Sequence, residues 1–99
     1  MAVIVNLQIR CQQGKGPDFL AMAKEILPDT RAYDGCSEAN LCTNIEEGED
    51  KVEVISKWES KAHYDKYLQW RMDTGLLEAL APYLEGEPVF RFLEVDTIY

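Results

Sequence analysis

The sequence predicts an α+β fold with the element order β-α-β-β-α-α-β. Three observations carry that prediction. Val3, Val5, Leu7 and Ile9 alternate with Ile4, Asn6, Gln8 and Arg10, the two-residue period of a strand with one strongly apolar face. Phe19, Met22, Ala23, Ile26, Leu27 and Thr30 recur at helical spacing. A β-patterned run from Val52 ends at Trp58, and behind it Tyr64, Tyr67, Leu68 and Arg71 fall at i, i+3, i+4 and i+7 of a second helix.

The elements follow in order. The first strand covers Ala2 to Cys11, and Gln13-Gly14-Lys15-Gly16 turns the chain. Pro17 suits a first helical position and Asp18 favours the positive end of the helix dipole. Pro28 should kink or tighten this helix, and Asp34-Gly35 ends it. Cys36 to Asn44 is the second strand, with Ala39, Leu41 and Thr43 on one face; Cys36 and Cys42, of like parity, are expected to be buried thiols. The acidic Glu46-Glu47-Gly48-Glu49-Asp50 forms a solvated hairpin tip. Lys51 to Trp58 is the third strand, and Ser60 is a good N-cap for a helix running to about Met72. Asp73-Thr74-Gly75 breaks it. Leu76, Leu77, Leu80, Ala81 and Leu84 make a short third helix, and Pro88 to Thr97 the last strand.

With right-handed crossovers this order gives a ferredoxin-like split βαβ, a four-stranded antiparallel sheet with helices on one face. The opposite face is expected to carry Ile4, Asn6, Gln8, Asn40, Cys42, Ile55, Phe90 and Phe92. Its centre is too apolar for free solvent. The simplest cover is the same face of a second copy, so a homodimer is expected.

Composition narrows the function. A chain of 99 residues is expected to form one domain with a modest core, burying roughly two-thirds of its unfolded surface. The net charge of −8 opposes binding to nucleic acid or to anionic membranes. No apolar run approaches a membrane span, and the N-terminus lacks the features of a signal peptide, so a cytoplasmic location is expected. Cys11, Cys36 and Cys42 form no CxxC pair; with the lone His63 they make no zinc set, and no metal site is expected. The Gly14-Lys15-Gly16 turn lacks the rest of a phosphate loop.

The chemistry concentrates between Lys57 and Arg71, where Trp58, Tyr64, Tyr67 and Trp70 place four large rings in thirteen residues. Such a seam is either an aromatic core or the wall of a pocket for a flat ligand, with phenol and guanidinium tips to orient it. Trp58 and Tyr64 are candidate substrate-binding residues, with Asn6 on the mixed sheet face either a third or a dimer contact. Tyr67 and Arg71 are candidates to hold a substrate oxygen, and His63 to accept a proton.

Taken together, the element order, Asp34-Gly35-Cys36 opening the second strand, Trp58-Glu59-Ser60 ending the third and Tyr67-Leu68-Gln69-Trp70-Arg71 on the helix resemble the antibiotic biosynthesis monooxygenase family of dimeric α+β barrels. The similarity spans nearly the whole chain. It implies activities ranging from cofactor-independent oxidation of phenols, hydroquinones or polycyclic aromatics to quinones, through action on quinols and haem degradation, to processing of small signalling molecules; related barrels cyclise polyketides. Trp58 matches the family tryptophan, and Tyr64 stands where polyketide-oxidising members place a pocket tyrosine. Val54 and Glu78 stand where those members have asparagine and arginine, and Tyr67 where many bacterial relatives carry histidine. Asn6 and Trp58 have counterparts in haem-degrading members, but no histidine sits where an axial ligand is needed.

The resemblance therefore implies a cofactor-independent monooxygenase acting on a small aromatic substrate. The alternatives are a non-catalytic barrel that holds a hydrophobic metabolite or serves a stress response, and a polyketide cyclase or isomerase.

Overall fold

The computed structural model describes residues 2–99 and has the expected order: β1 (Val3–Arg10), α1 (Gly16–Ala32), β2 (Cys36–Thr43), β3 (Lys51–Trp58), α2 (Lys61–Asp73), α3 (Leu76–Leu80) and β4 (Val89–Glu94). The strands form one antiparallel sheet in the order β2-β3-β1-β4, with β1 and β3 central. The apolar alternation of β1 and β3 explains their place: Val3, Val5, Ile9, Val52, Val54 and Trp58 all point into the core beneath the helices.

Local chemistry sets the element ends. Pro17 lies in the first turn of α1, where its missing N–H costs nothing. Ahead of it, the Asp50 carboxylate accepts the N–H groups of Gly14 and Gly16 at 2.9 and 2.8 Å, tying the β2–β3 connection to the start of α1. A Cβ at Gly16 would run into the Glu49 carbonyl, so this close approach requires glycine. Pro28 does not end α1, which continues to Ala32. Ser60 caps α2 by accepting the His63 N–H. Gly75, at φ +92, makes the turn into α3. That helix stops at Leu80; Leu84, expected to be helical, instead bridges to Cys11.

Two face assignments are corrected. Phe90 and Phe92 pair with Leu7 and Val5, so they share the helix-covered face and not the opposite one. The outer face receives Val89, Arg91 and Leu93 beside Gln8, Asn6 and Ile4. Both parities of this strand are apolar, so its own alternation does not define its inner side. The second correction concerns the thiols. An irregularity between Cys36 and Glu38 shifts the β2 register, leaving Cys36 opposite Trp58 in the core and Cys42 opposite Glu53, exposed.

Candidate active site

The core has two parts. Val3, Val5, Cys36, Trp58, Tyr64 and Tyr67 form an aromatic end, with Tyr33 and Trp70 packed on it. Ile9, Cys11, Phe19, Ala23, Val52 and Leu80 form an aliphatic end. Between sheet and helices a cavity of about 210 Å³ runs from one to the other. Its walls are aliphatic, including Leu7, Ala23, Leu27 and Leu76. The hydroxyl-bearing residues in its lining are Thr30, Ser56, Tyr64 and Tyr67. Met72, Leu77 and Phe90, all exposed, stand where it opens to solvent between α2, α3 and β4.

Helical spacing builds the polar end. Tyr64, Tyr67 and Arg71 are the buried residues of α2, and Thr30 is a buried residue of α1. Thr30 Oγ1 and Tyr67 Oη lie 2.6 Å apart. Arg71 Nε donates to Tyr67 Oη at 3.0 Å, and Arg71 Nη2 donates to Thr30 Oγ1 at 3.1 Å and to the Ile26 carbonyl at 2.7 Å. The Arg71 guanidinium also lies over the Trp70 ring, 4.6 Å from its centre. Only 8 % of Arg71 is exposed, yet among the described residues no carboxylate forms an ion pair with it.

Trp58 sits one layer behind the cavity. It is fully buried, meets Tyr64 edge-to-face at 5.3 Å and Tyr67 at 4.9 Å, and donates from Nε1 to Ser56 Oγ at 2.8 Å. It thus positions three cavity-lining side chains without lining the cavity itself. Burial pushes the Tyr64 hydroxyl pKa well above the ordinary tyrosine value, with Tyr67 and Asp65 adding to the rise, so Tyr64 stays neutral across physiological pH. A ring contact with Phe92 at 5.8 Å links Tyr64 to β4.

The remaining sequence candidates lie elsewhere. His63 is half-buried away from the cavity lining, its Nδ1 2.7 Å from Ser60 Oγ and its ring packed against Gly35; Glu59 and Asp34 approach its Nε2 at 3.6 and 4.0 Å. Asn6 points to the outer face of the sheet, where its Oδ1 is buried with no hydrogen-bond partner. The structure therefore brings together Tyr64, Tyr67 and, through them, Trp58 and Arg71, but not His63 or Asn6. Thr30 was visible in the sequence only as part of an apolar helix face. Its polar hydroxyl in that stripe was the available signal. Among the described residues, no three His, Cys, Asp or Glu side chains come together as metal ligands, and no helix is long and apolar enough to cross a membrane.

The model of the antibiotic biosynthesis monooxygenase family matches residues 2–71. No curated protein matches the chain significantly. Among solved structures, a conserved protein from Methanosarcina mazei superposes with a TM-score of 0.84 at 14 % identity, over 97 % of this chain and 94 % of that one. A candidate antibiotic biosynthesis monooxygenase from Deinococcus radiodurans gives 0.84 at 14 % identity, over 98 % and 95 %. A Shewanella oneidensis protein gives 0.75 at 18 % identity, over 94 % and 93 %. At these identities the likeness is one of fold.

Proposed function

Because the chain belongs to the antibiotic biosynthesis monooxygenase family, we propose that it is a cofactor-independent monooxygenase that oxidises a small aromatic substrate with dioxygen in the cavity between sheet and helices. The observation that carries this reading is the apolar cavity whose lining includes Thr30 and Tyr67, with a buried guanidinium bonded to the hydroxyls of both. An electron-rich phenol, once deprotonated, reduces dioxygen itself. A ring C–H becomes C=O, the second oxygen atom leaves as water, and the substrate supplies all four electrons. The protein's part is to hold the ring, exclude water and stabilise the anion. Tyr64 and the aliphatic walls would hold the ring, with Trp58 fixing Tyr64 from behind. Apolar cavities near 150 Å³ take benzene, so one of about 210 Å³ suits a compound of one or two rings.

The working unit proposed is a homodimer joined through the outer sheet face. Ile4, Ile55, Val89 and Leu93 supply apolar surface there, and the unpartnered Asn6 Oδ1 would find a donor across the two-fold axis. Light scattering on purified protein should give twice the chain mass, and Leu93→Glu should halve it.

The test of activity is dioxygen consumption with hydroquinones and naphthols, corrected for autoxidation. Saturable uptake that Leu27→Trp abolishes by filling the cavity is the expected result. Uptake indifferent to that substitution would sink the assignment of the site. A barrel that binds without turnover is the second reading, favoured by Val54, which gives the cavity a methyl surface where polyketide-oxidising relatives are expected to have an amide. Saturable binding with no uptake would support it.

A further inference from the structure

Arg71 carries a charge into the core without a carboxylate to neutralise it among the described residues. Buried charges are ordinarily paired. The negative end of α2 and the face of Trp70 offset part of this one. Besides the Ile26 carbonyl, the guanidinium donates to the hydroxyls of Thr30 and Tyr67, two residues in the lining of the cavity.

The protons around those hydroxyls can be counted. Tyr67 Oη accepts from Arg71 Nε, and Thr30 Oγ1 accepts from Arg71 Nη2. One hydroxyl hydrogen fills the 2.6 Å contact between the two oxygens, whichever of them donates it. The other hydroxyl hydrogen remains. Each oxygen already accepts at least one bond, and the spare hydrogen is polarised by the cation behind it.

We propose that Thr30 and Tyr67 form a single-donor subsite, charged by Arg71, that selects ring compounds in their oxyanion form: the phenolate or enolate over the neutral parent. This rests on the cavity being the ligand site and deepens it by naming the ionic form bound. Thr30 touches the ligand alongside Tyr67, and Arg71 acts through both as a positioning residue. The site captures an anion already formed in solution, so it needs no base in the cavity, in keeping with the position of His63 outside it.

A redox-inert probe separates this from the oxygenase reading. 4-Nitrophenol and 4-nitro-1-naphthol are distinguished by colour in their phenol and phenolate forms. The titratable side chains packed around the hydroxyl pair are Tyr33, Tyr64, Arg71 and the Cys36 thiol. Burial raises the pKa values of the Tyr64 hydroxyl and the Cys36 thiol, which keeps both uncharged; Arg71 is the charge bonded to the hydroxyl pair, and the Asp65 carboxylate acts on Tyr64.

Bound to the native protein, a probe should titrate about one unit lower than in water, a roughly tenfold preference for the phenolate. The proton count predicts an unusual mutational pattern. Thr30→Val frees the Tyr67 hydrogen, and Tyr67→Phe frees the Thr30 hydrogen, so either alone retains one donor and most of the shift. The double substitution removes both and should abolish it, a strong non-additivity. Thr30→Ser should behave as native, and Arg71→Met should lose the shift even if the probe still binds. An unshifted or raised pKa in bound probe would overturn the proposal while leaving the cavity as a ligand site. Failure of both probes to bind would overturn the subsite and the cavity reading together.

Discussion

The two ends of the core solve the same packing problem in opposite ways. At the aromatic end, Tyr33, Trp58, Tyr64, Tyr67 and Trp70 lock together through ring contacts of 4.9–6.4 Å, and the polar tips of Trp58 and Tyr67 are fastened to Ser56, Thr30 and Arg71. At the aliphatic end, Leu and Ile side chains from three helices and the sheet meet without filling the space, and the cavity lies largely among them. Rings with hydrogen-bonded tips have few alternative arrangements, whereas branched aliphatic chains repack at modest cost. The rigid end therefore fixes where polar atoms stand, and the hollow end leaves room for a guest.

Substitutions sharpen this contrast. The largest effect is expected at Trp58. Trp58→Ala empties the centre of the locked end and should cost about 3–5 kcal/mol, a large part of the roughly 5–15 kcal/mol that such a domain has in total. Denaturant melting measures it; a loss under about 1 kcal/mol would mean the aromatic end is not the rigid one. Arg71→Met comes next. It strips donors from Tyr67, Thr30 and the Ile26 carbonyl at once and should cost about 2–3 kcal/mol in the same melts. Leu77→Ala, at the hollow end, where the side chain is 50 % exposed, should cost less than about 1 kcal/mol while accelerating association of an apolar ligand in stopped-flow mixing. Equal costs at Leu77 and Arg71 would erase the distinction.

Two smaller effects probe the periphery. Cys11 and Cys36 are buried, and burial raises both thiol pKa values, whereas Cys42 is exposed. A thiol reagent should modify one cysteine per chain rapidly in the native protein and the other two only on unfolding, and Cys42→Ser should remove the fast phase. Because Cys42 lies on the outer sheet face, protection that deepens with protein concentration would also report the proposed dimer. At Asp50, the Gly14 and Gly16 N–H groups hold the carboxyl below the ordinary aspartate pKa. Its contribution to stability is thus present above the ordinary value and lost as pH falls from about 4 through the lowered pKa. Asp50→Asn should flatten stability against pH over that acid range by lowering stability in the neutral region, while leaving it nearly unchanged below the lowered pKa.

How far the sequence reaches depends on whether a feature is local. The third strand is found at its predicted bounds, Lys51–Trp58, because its alternation is strict and one face is entirely core. Ser60 is legible as a cap because capping is settled within three residues. The inner side of β4 is not, because Val89, Phe90, Phe92 and Leu93 present apolar groups on both faces and only pairing with β1 decides between them. The exposed position of Cys42 follows from one irregular residue early in β2, which parity counting cannot see. In the site, Tyr64, Tyr67 and Arg71 were readable from helical phase alone. Their junction with Thr30 spans 37 and 41 residues and exists only once α1 and α2 have docked.

The cavity is also divided along the chain. Thr30, Tyr64 and Tyr67, its hydroxyl-bearing end, precede Gly75, whereas Leu76, Leu77, Leu80, Pro88 and Phe90, which shape much of its opening, follow it. Anchor and doorway thus occupy separable stretches of polypeptide, joined at a single glycine. Exchange of the segment after Gly75 with that of another protein of this architecture would change which molecules are admitted and how fast. It would leave untouched the groups that hold them. Diversification of substrate range by recombination at that joint, with the anchor inherited whole, is a route this arrangement leaves open.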